Sequence, residues 1–295
     1  MAQKKKLQIV VFLSVLYLIA LVCMYAYEYH FKSVWFEEKL QAVEMSKLDK
    51  SISFSVDSLS ATDDGSMQLS GWAFMNGLSA TKQKIVILAQ SDDETQYLFT
   101  TTTTRKDVTQ SFDNKINYDD SGFVTKFKPS KLKDNIYKIG IYLENGDKKA
   151  FIDTGSIMYK DDGEVVMEYL SRTTNLSLDL EKRKMKYSID AVEEKKFGIE
   201  MVGWSFAEDI NMKDSSIYIL LNNDNEQKLI FNTIKMIRDD VKQNYESENL
   251  DYSGFVVRIP YDELKDETDY KVSIIIRNNN KDSVIKTDRI IQKMK

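Results

Sequence analysis

The first thirty residues carry one long apolar run, whereas apolar positions farther along the chain fall in short runs. Leu7 to Tyr27 contains no charged residue, and three lysines precede it. About 20 helical residues cross the roughly 30 Å hydrocarbon core of a bilayer, and flanking lysines favour the cytoplasmic side. The pattern predicts a single-pass protein of the cell membrane. It has a cytoplasmic tail (1–6), a transmembrane anchor (7–27) and extracytoplasmic domains after it.

A cleaved signal peptide and a lipid-modified Cys23 are the alternatives to this anchor. Signal peptides have a shorter apolar region and a small-x-small cleavage site, but residues 24–26 are Met-Tyr-Ala. Val22 precedes Cys23, whereas a lipidated cysteine normally follows glycine or alanine. Both observations favour an uncleaved anchor.

Residues 28–50 are predicted to form a stalk. Apolar and amphipathic positions recur there at helical spacing, namely Phe36, Leu40, Val43 and Lys47. The spacing indicates a short amphipathic helix that continues from the membrane. This helix is either a plain spacer or a surface that packs on a partner membrane protein.

Three motifs occur twice, in the same order. Gly-Trp-x-Phe begins at Gly71 and Gly203, Arg-x-Asp-Val at Arg105 and Arg238, and Ser-Gly-Phe at Ser121 and Ser253. A nearly constant offset over several motifs indicates an internal duplication. We therefore expect a first repeat at 51–160 and a second at 185–295. The charged linker between them, 161–184, has enough apolar content to dock on a domain.

Each repeat has the pattern of an all-β domain. Short alternating runs rich in Val, Ile, Phe and Tyr are separated by Asp-, Asn- and Gly-containing turns, as at Asn76-Gly77 and Asn145-Gly146. About seven strands in about 110 residues are typical of an immunoglobulin-like β-sandwich. The sequence thus predicts two such domains in tandem after the helical anchor and stalk.

The composition excludes several classes of catalytic site and metal site. The chain has one His, one Cys and a net charge of −5, and both His30 and Cys23 lie at the apolar segment. The rest of the chain therefore lacks the residues for a Ser-His-Asp or Cys-His site and for a usual zinc site. An acidic chain also argues against nucleic acid as a partner. We expect no catalytic residue, metal or cofactor.

The duplicated motifs allow either a structural or a binding role. Leu69 and Trp72 are separated by an odd number of positions, so either Gly71 hosts a bulge or one side chain points outward. Trp72 and Trp204 are thus either core residues or platforms for a sugar ring. The Arg-x-Asp-Val residues either cap a helical turn and form ion pairs, or hydrogen-bond a glycan. The candidate ligand-binding residues are Trp72, Arg105, Asp107, Trp204, Arg238 and Asp240.

In their order, the three motifs resemble those of β-sandwich accessory domains found on bacterial surface-glycan glycosyltransferases and related cell-envelope proteins. The resemblance covers both repeats but neither the anchor nor the stalk. It implies an accessory role and transfers no catalysis, because the chain has no glycosyltransferase domain.

These observations lead to one expected function and two alternatives. The expectation is a non-catalytic, anchored protein that binds or organises cell-envelope polysaccharide, or assists a membrane protein of glycan assembly. The first alternative is an interaction partner or scaffold of a membrane transporter or synthase. The second is a glycan hydrolase that uses Asp and Glu side chains.

Overall fold

The computed structural model describes residues 14–24, 32–223 and 228–293. Residues 14–24 are helical, and no helix within these ranges is both long and apolar enough to cross a membrane. The predicted tail (1–6) lies outside the described residues. So do the two ends of the predicted anchor, 7–13 and 25–27, and the first part of the predicted stalk.

The first repeat and the segments flanking it consist mainly of strands. The strands are β1 (Ile52–Ala61), β2 (Met67–Met75), β3 (Lys84–Gln90), β4 (Thr95–Phe99), β5 (Thr101–Thr103), β6 (Gly122–Phe127), β7 (Tyr137–Asn145), β8 (Lys148–Asp161) and β9 (Glu164–Tyr169). The helices are α1 (Lys32–Gln41) and α2 (Lys106–Ser111), with 3-10 turns at Met45–Lys47, Asp119–Ser121 and Pro129–Lys131.

The second repeat has strands equivalent to β1–β8, in the same order. The strands are β10 (Met185–Lys195), β11 (Gly198–Ala207), β12 (Ser216–Asn222), β13 (Lys228–Asn232), β14 (Ile234–Met236), β15 (Gly254–Pro260), β16 (Asp269–Asn278) and β17 (Lys281–Gln292). One α-helix, α3 (Asp239–Asn244), is accompanied by 3-10 turns at Met212–Asp214, Glu248–Leu250 and Tyr261–Glu263. This content confirms the predicted all-β class.

The strands form four sheets. Sheet I has the order β1-β2-β6-β5, and sheet II has the order β4-β3-β7-β8-β9. Sheet III, β10-β11-β15-β14, repeats sheet I, and sheet IV, β13-β12-β16-β17, repeats the first four strands of sheet II. In the second repeat, sheets III and IV share one core, in which Met201 and Phe255 cluster with Ile219 and Ile274.

One strand in each repeat changes sheet at a threonine. Between β4 and β5, the Thr100 hydroxyl donates a hydrogen bond of 2.7 Å to the carbonyl of Ile85. Between β13 and β14, the Thr233 hydroxyl donates one of 2.8 Å to the carbonyl of Ile217. In each case a side chain provides a hydrogen bond where the chain passes from one sheet to the next.

The chain divides into two compact units. The first unit is Met1–Lys133 with Gly140–Thr154, and the second is Asp134–Ile139 with Gly155–Lys295. The predicted linker, 161–184, begins inside a hairpin, because β9 pairs with β8 as far as Asp161 and Glu164. Asp162 and Gly163 both have positive φ and make the tight turn of that hairpin.

The segment before each repeat packs on the outer face of a sheet. We call residues 40–50 the first strap and residues 172–184 the second strap. Leu40 of the first strap is buried against Val86, Leu88 and Tyr142. The carbonyl of Asp49 then accepts a hydrogen bond of 2.9 Å from the amide of Phe151. The end of the predicted stalk is therefore part of a domain rather than a free spacer.

The second strap makes equivalent contacts. Leu176 and Leu178 pack on Leu220 and Ile275, which lie on the outer face of sheet IV. The main chain of the strap pairs with the start of β17, where Asp282 and Leu180 form a parallel bridge. Part of the predicted linker is therefore an element of the second repeat.

Candidate functional site

Trp72 and Trp204 lie on the outer faces of sheets I and III. Strand β2 pairs without interruption through Gly71, so Leu69 and Trp72 point to opposite faces. Leu69 is fully buried and Trp72 is half-buried. The bulge allowed at Gly71 lies in the neighbouring strand instead, between Val56 and Ser58, and its extra residue is Asp57.

The second repeat has the same bulge at the same place. The register of β10 shifts between Ile189 and Ala191, so Asp190 is the extra residue. Trp204 is half-buried, as Trp72 is. A bulge aims its extra residue away from the regular alternation. Both repeats therefore bring an aspartate toward the outer face that carries the tryptophan.

In the first repeat, aromatic rings and helix α2 cover part of the tryptophan. Trp72 stacks on Phe74 at 5.6 Å between centroids and contacts Phe112 edge-on at 6.0 Å. Phe74 stacks in turn on Tyr118 at 3.7 Å. Phe74 and Tyr118 are buried, but the side chain of Phe112 is 40% exposed. Trp72 thus belongs to a small outer cluster that has an open aromatic edge.

The second repeat builds this cluster with different residues. Trp204 stacks on Phe206 at 5.8 Å and contacts Tyr245 edge-on at 5.8 Å. Leu250 is buried at the position equivalent to Tyr118. The Lys186 ammonium lies 4.4 Å from the Tyr245 ring centroid, which is a cation–π distance.

Beside the first cluster, an arginine bridges two aspartates. The Nη1 atom of Arg105 donates to Asp57 Oδ2 at 2.6 Å, and its Nη2 and Nε atoms donate to Asp107 at 2.7 and 2.9 Å. We call these three residues the first clasp. It ties the bulge of β1 to the first turn of helix α2.

The second repeat contains an equivalent second clasp, formed by Arg238, Asp190 and Asp240. Arg238 Nη1 donates to Asp190 Oδ2 at 2.6 Å, and its Nη2 and Nε atoms donate to Asp240 at 2.6 and 2.8 Å. The helix after each arginine begins at an N-cap that makes no side-chain cap bond. The arginines are thus paired with carboxylates, as the structural interpretation of Arg-x-Asp-Val expects, whereas Asp107 and Asp240 occupy the first helical turn rather than the cap.

The glycine of each Ser-Gly-Phe motif leaves space for the arginine side chain of the same repeat. Gly122 pairs with Trp72 in the β2–β6 register, and a Cβ atom on Gly122 would lie 2.7 Å from Arg105 Cγ. Gly254 pairs with Trp204, and a Cβ atom there would lie 2.7 Å from Arg238 Cγ. Glycine leaves room for the arginine to cross the sheet toward the bulge. All three duplicated motifs therefore meet on one outer face in each repeat.

The clasps keep their groups ionised. Hydrogen bonding to Asp107 raises the pKa of Arg105, and hydrogen bonding to Asp240 raises that of Arg238. The Arg105 guanidinium lowers the pKa of Asp107, and the Arg238 guanidinium lowers the pKa of Asp240 to about 2. Asp107 is 63% exposed and Asp240 is 57% exposed. Each carboxylate can therefore accept further hydrogen bonds while its arginine is already engaged.

The second clasp is expected to make stability depend on acid pH. The pKa of Asp240 is lower in the folded chain than the ordinary aspartate value of 3.8. Its contribution to the stability of the fold is therefore complete above that value and is lost as the pH falls toward about 2. The difference in Tm between the wild-type chain and Asp240→Asn should therefore shrink between about pH 5 and pH 2. Asp239→Asn, which leaves the clasp intact, is the matched control. A Tm difference that is constant across this range would contradict the assignment.

Sequence reasoning missed Asp57 and Asp190, the bulge residues. The signal was present, because each aspartate stands 48 residues before the arginine it binds. Residue spacing within one strand does not show that an aspartate in a bulge will bind an arginine 48 residues farther along the chain. Within the part of the chain that the structure describes, no group of three or more His, Cys, Asp or Glu side chains is placed to hold a metal ion.

Comparison with known proteins adds no family to this description. No family model matches the chain, and no curated protein matches it.

Proposed function

We propose that the chain is a non-catalytic, membrane-anchored accessory protein whose extracytoplasmic domains bind or organise cell-envelope glycan, or assist its assembly. One observation carries this proposal: an open aromatic edge lies beside an exposed, ionised carboxylate on the outer face of a sheet. In the first repeat these groups are Trp72, Phe112 and Asp107. Aromatic faces suit the C–H surface of sugars, and carboxylates accept strong hydrogen bonds from hydroxyl groups.

The helix at residues 14–24 supports the membrane part of the proposal. Large apolar side chains from Val15 to Met24 are between 41% and 68% exposed, and they lie on all sides of the helix. A helix that is apolar all round is typical of a segment surrounded by lipid or protein. The three lysines before the apolar run favour a cytoplasmic N-terminus.

The strand arrangement supports the immunoglobulin-like part. In each repeat an antiparallel sheet that contains the tryptophan accompanies a second sheet, and one strand changes sheet at a threonine. Two antiparallel sheets of about seven strands are typical of immunoglobulin-like sandwiches.

Retention on isolated envelope polysaccharide tests the proposal. The full chain in detergent should be retained, and the pair Phe112→Ala and Tyr245→Ala should weaken retention about tenfold, or about 1.4 kcal/mol. Both rings are more than a third exposed, so their removal should leave the chain folded. Tyr169→Ala, which removes an exposed aromatic ring outside both clusters, is the control. Absence of retention even at high polysaccharide concentration would contradict the proposal.

A further inference from the structure

The outer face of sheet I carries hydroxyl groups next to Trp72. Register and burial place Ser53, Ser55, Ser58 and Ser60 of β1 on this face, with Gln68 and Ser70 of β2 and Thr101 and Thr103 of β5. The Ser58 and Ser70 hydroxyls lie 2.9 Å apart across the strands, and the Ser55 hydroxyl donates to Asp57 at 2.7 Å. Every regular outward position of β1 is therefore a serine.

One row of the equivalent face of sheet III is aliphatic, although Ser188 pairs with Trp204 and Glu200 with Arg258 on the same face. The row Ser58, Ser70, Val124 and Thr101 of the first repeat corresponds to the row Ala191, Val202, Val256 and Ile234 of the second. Thr103 corresponds to Met236. Ile234 and Met236 are 37% and 38% exposed. The two faces thus share the tryptophan and the clasp but differ in the groups around them.

This difference bears on what each face can bind. A sugar presents hydroxyl groups around its ring, and a buried hydroxyl without a partner is unfavourable. The hydroxyl groups of sheet I offer donors and acceptors on both sides of Trp72. The aliphatic row of sheet III offers none, so a sugar that covered this row would lose hydrogen bonds to water without replacement there.

The charge of the outer face of sheet I favours neutral glycans over anionic ones. Three carboxylates adjoin it, Asp57, Asp64 and Asp107, against two cations, Arg105 and Lys126. Arg105 is held by two of the carboxylates, and Lys126 acts electrostatically on Asp64. The face is net negative with no uncommitted guanidinium. Uronic acids and phosphodiesters would meet repulsion there, whereas neutral sugars would not.

We infer that glycan binding lies in the first repeat, where the outer face of sheet I takes a neutral glycan chain across its strands. Four strands at about 4.8 Å spacing give a face about 14 Å wide, which suits several sugar units rather than one. This inference rests on the proposed function and deepens it. It assigns the ligand class and distinguishes two repeats that share their motifs.

The duplication supplies matched variants for the test. Ser70→Val with Thr101→Ile gives the first face the side chains that stand at Val202 and Ile234 in the second. The converse variant, Val202→Ser with Ile234→Thr, changes the second face in the same number of positions. Each substituent already occurs at the equivalent position of the other repeat, so both variants suit the strands that carry them.

The probe is cell-envelope polysaccharide from the source cells, separated by anion exchange into neutral and anionic fractions. The full chain should be retained on the neutral fraction at least tenfold more strongly than on the anionic one. The first-face variant should lower that retention at least tenfold, and the second-face variant should leave it within twofold. Circular dichroism should show that both variants are folded.

Three results would overturn the inference. These are stronger retention on the anionic fraction, an equal loss with the second-face variant, or no loss with the folded first-face variant. In each of them the chain still binds glycan, so the proposed function survives. Absence of retention on both fractions would instead remove the proposed function and this inference together.

Discussion

Replacing Asp282 by alanine is expected to destabilise the second repeat by about 3–5 kcal/mol, because it removes one partner of a buried ion pair. The Asp282 side chain is fully buried and accepts hydrogen bonds of 2.7 Å from both Nε and Nη2 of Arg277. It also accepts one of 2.9 Å from the amide of Asp179 in the second strap. The variant would leave a partly buried guanidinium unpaired and would loosen the strap.

Urea unfolding of the full chain measures this effect. Asp288→Ala, which removes an exposed carboxylate from the same strand, is the control and should change stability by less than about 0.5 kcal/mol. An Asp282→Ala chain as stable as this control would show that the buried pair does not hold the strap.

Replacing Gly71 by alanine is the second substitution with a large expected effect, about 3 kcal/mol. A Cβ atom at this position would lie 2.2 Å from the carbonyl oxygen of Ser55 and 2.7 Å from the ring of Phe123. The first of these is backbone and cannot rotate away. The β1–β2 pairing would have to shift, which would also displace the bulge that carries Asp57.

Gly146→Ala is the comparison for this prediction. Gly146 has a φ of 61° but no atom within 4 Å of a Cβ, so only backbone strain of about 1–2 kcal/mol is expected. In thermal unfolding, the Tm of Gly71→Ala should fall further than the Tm of Gly146→Ala. Equal destabilisation would mean that the close approach at Gly71 does not control the register of sheet I.

Much of the fold follows from local pattern. Alternation predicts strands, and the repeated motifs predict two copies of one domain. The odd spacing of Leu69 and Trp72 requires either a bulge or an outward side chain. The structure has an outward Trp72, and its bulge lies in the strand opposite. Spacing along one strand cannot place a bulge in another strand, because pairing register depends on both.

The clasp and the domain edges show where local pattern is insufficient. Arg105 and Asp107 stand together in the sequence, but Asp57 reaches them only through the fold. The charged composition of 161–184 favours a linker, although Asp162-Gly163 is a hairpin signature and an apolar run begins at Val165. The contacts of Leu40 lie some fifty to a hundred residues away along the chain, so local pattern predicts only a stalk there.

The position of each strap in the chain determines when it becomes available to the sheet that it covers. A chain is synthesised from its N-terminus, so each strap leaves the ribosome before the sheet that it will cover. Leu40 precedes Val86 and Tyr142, and Leu176 precedes Leu220 and Ile275. The cover is already present when each apolar sheet face forms. A nascent sheet can therefore pack against its own chain at once, and its apolar face need not stay exposed until a later segment is made.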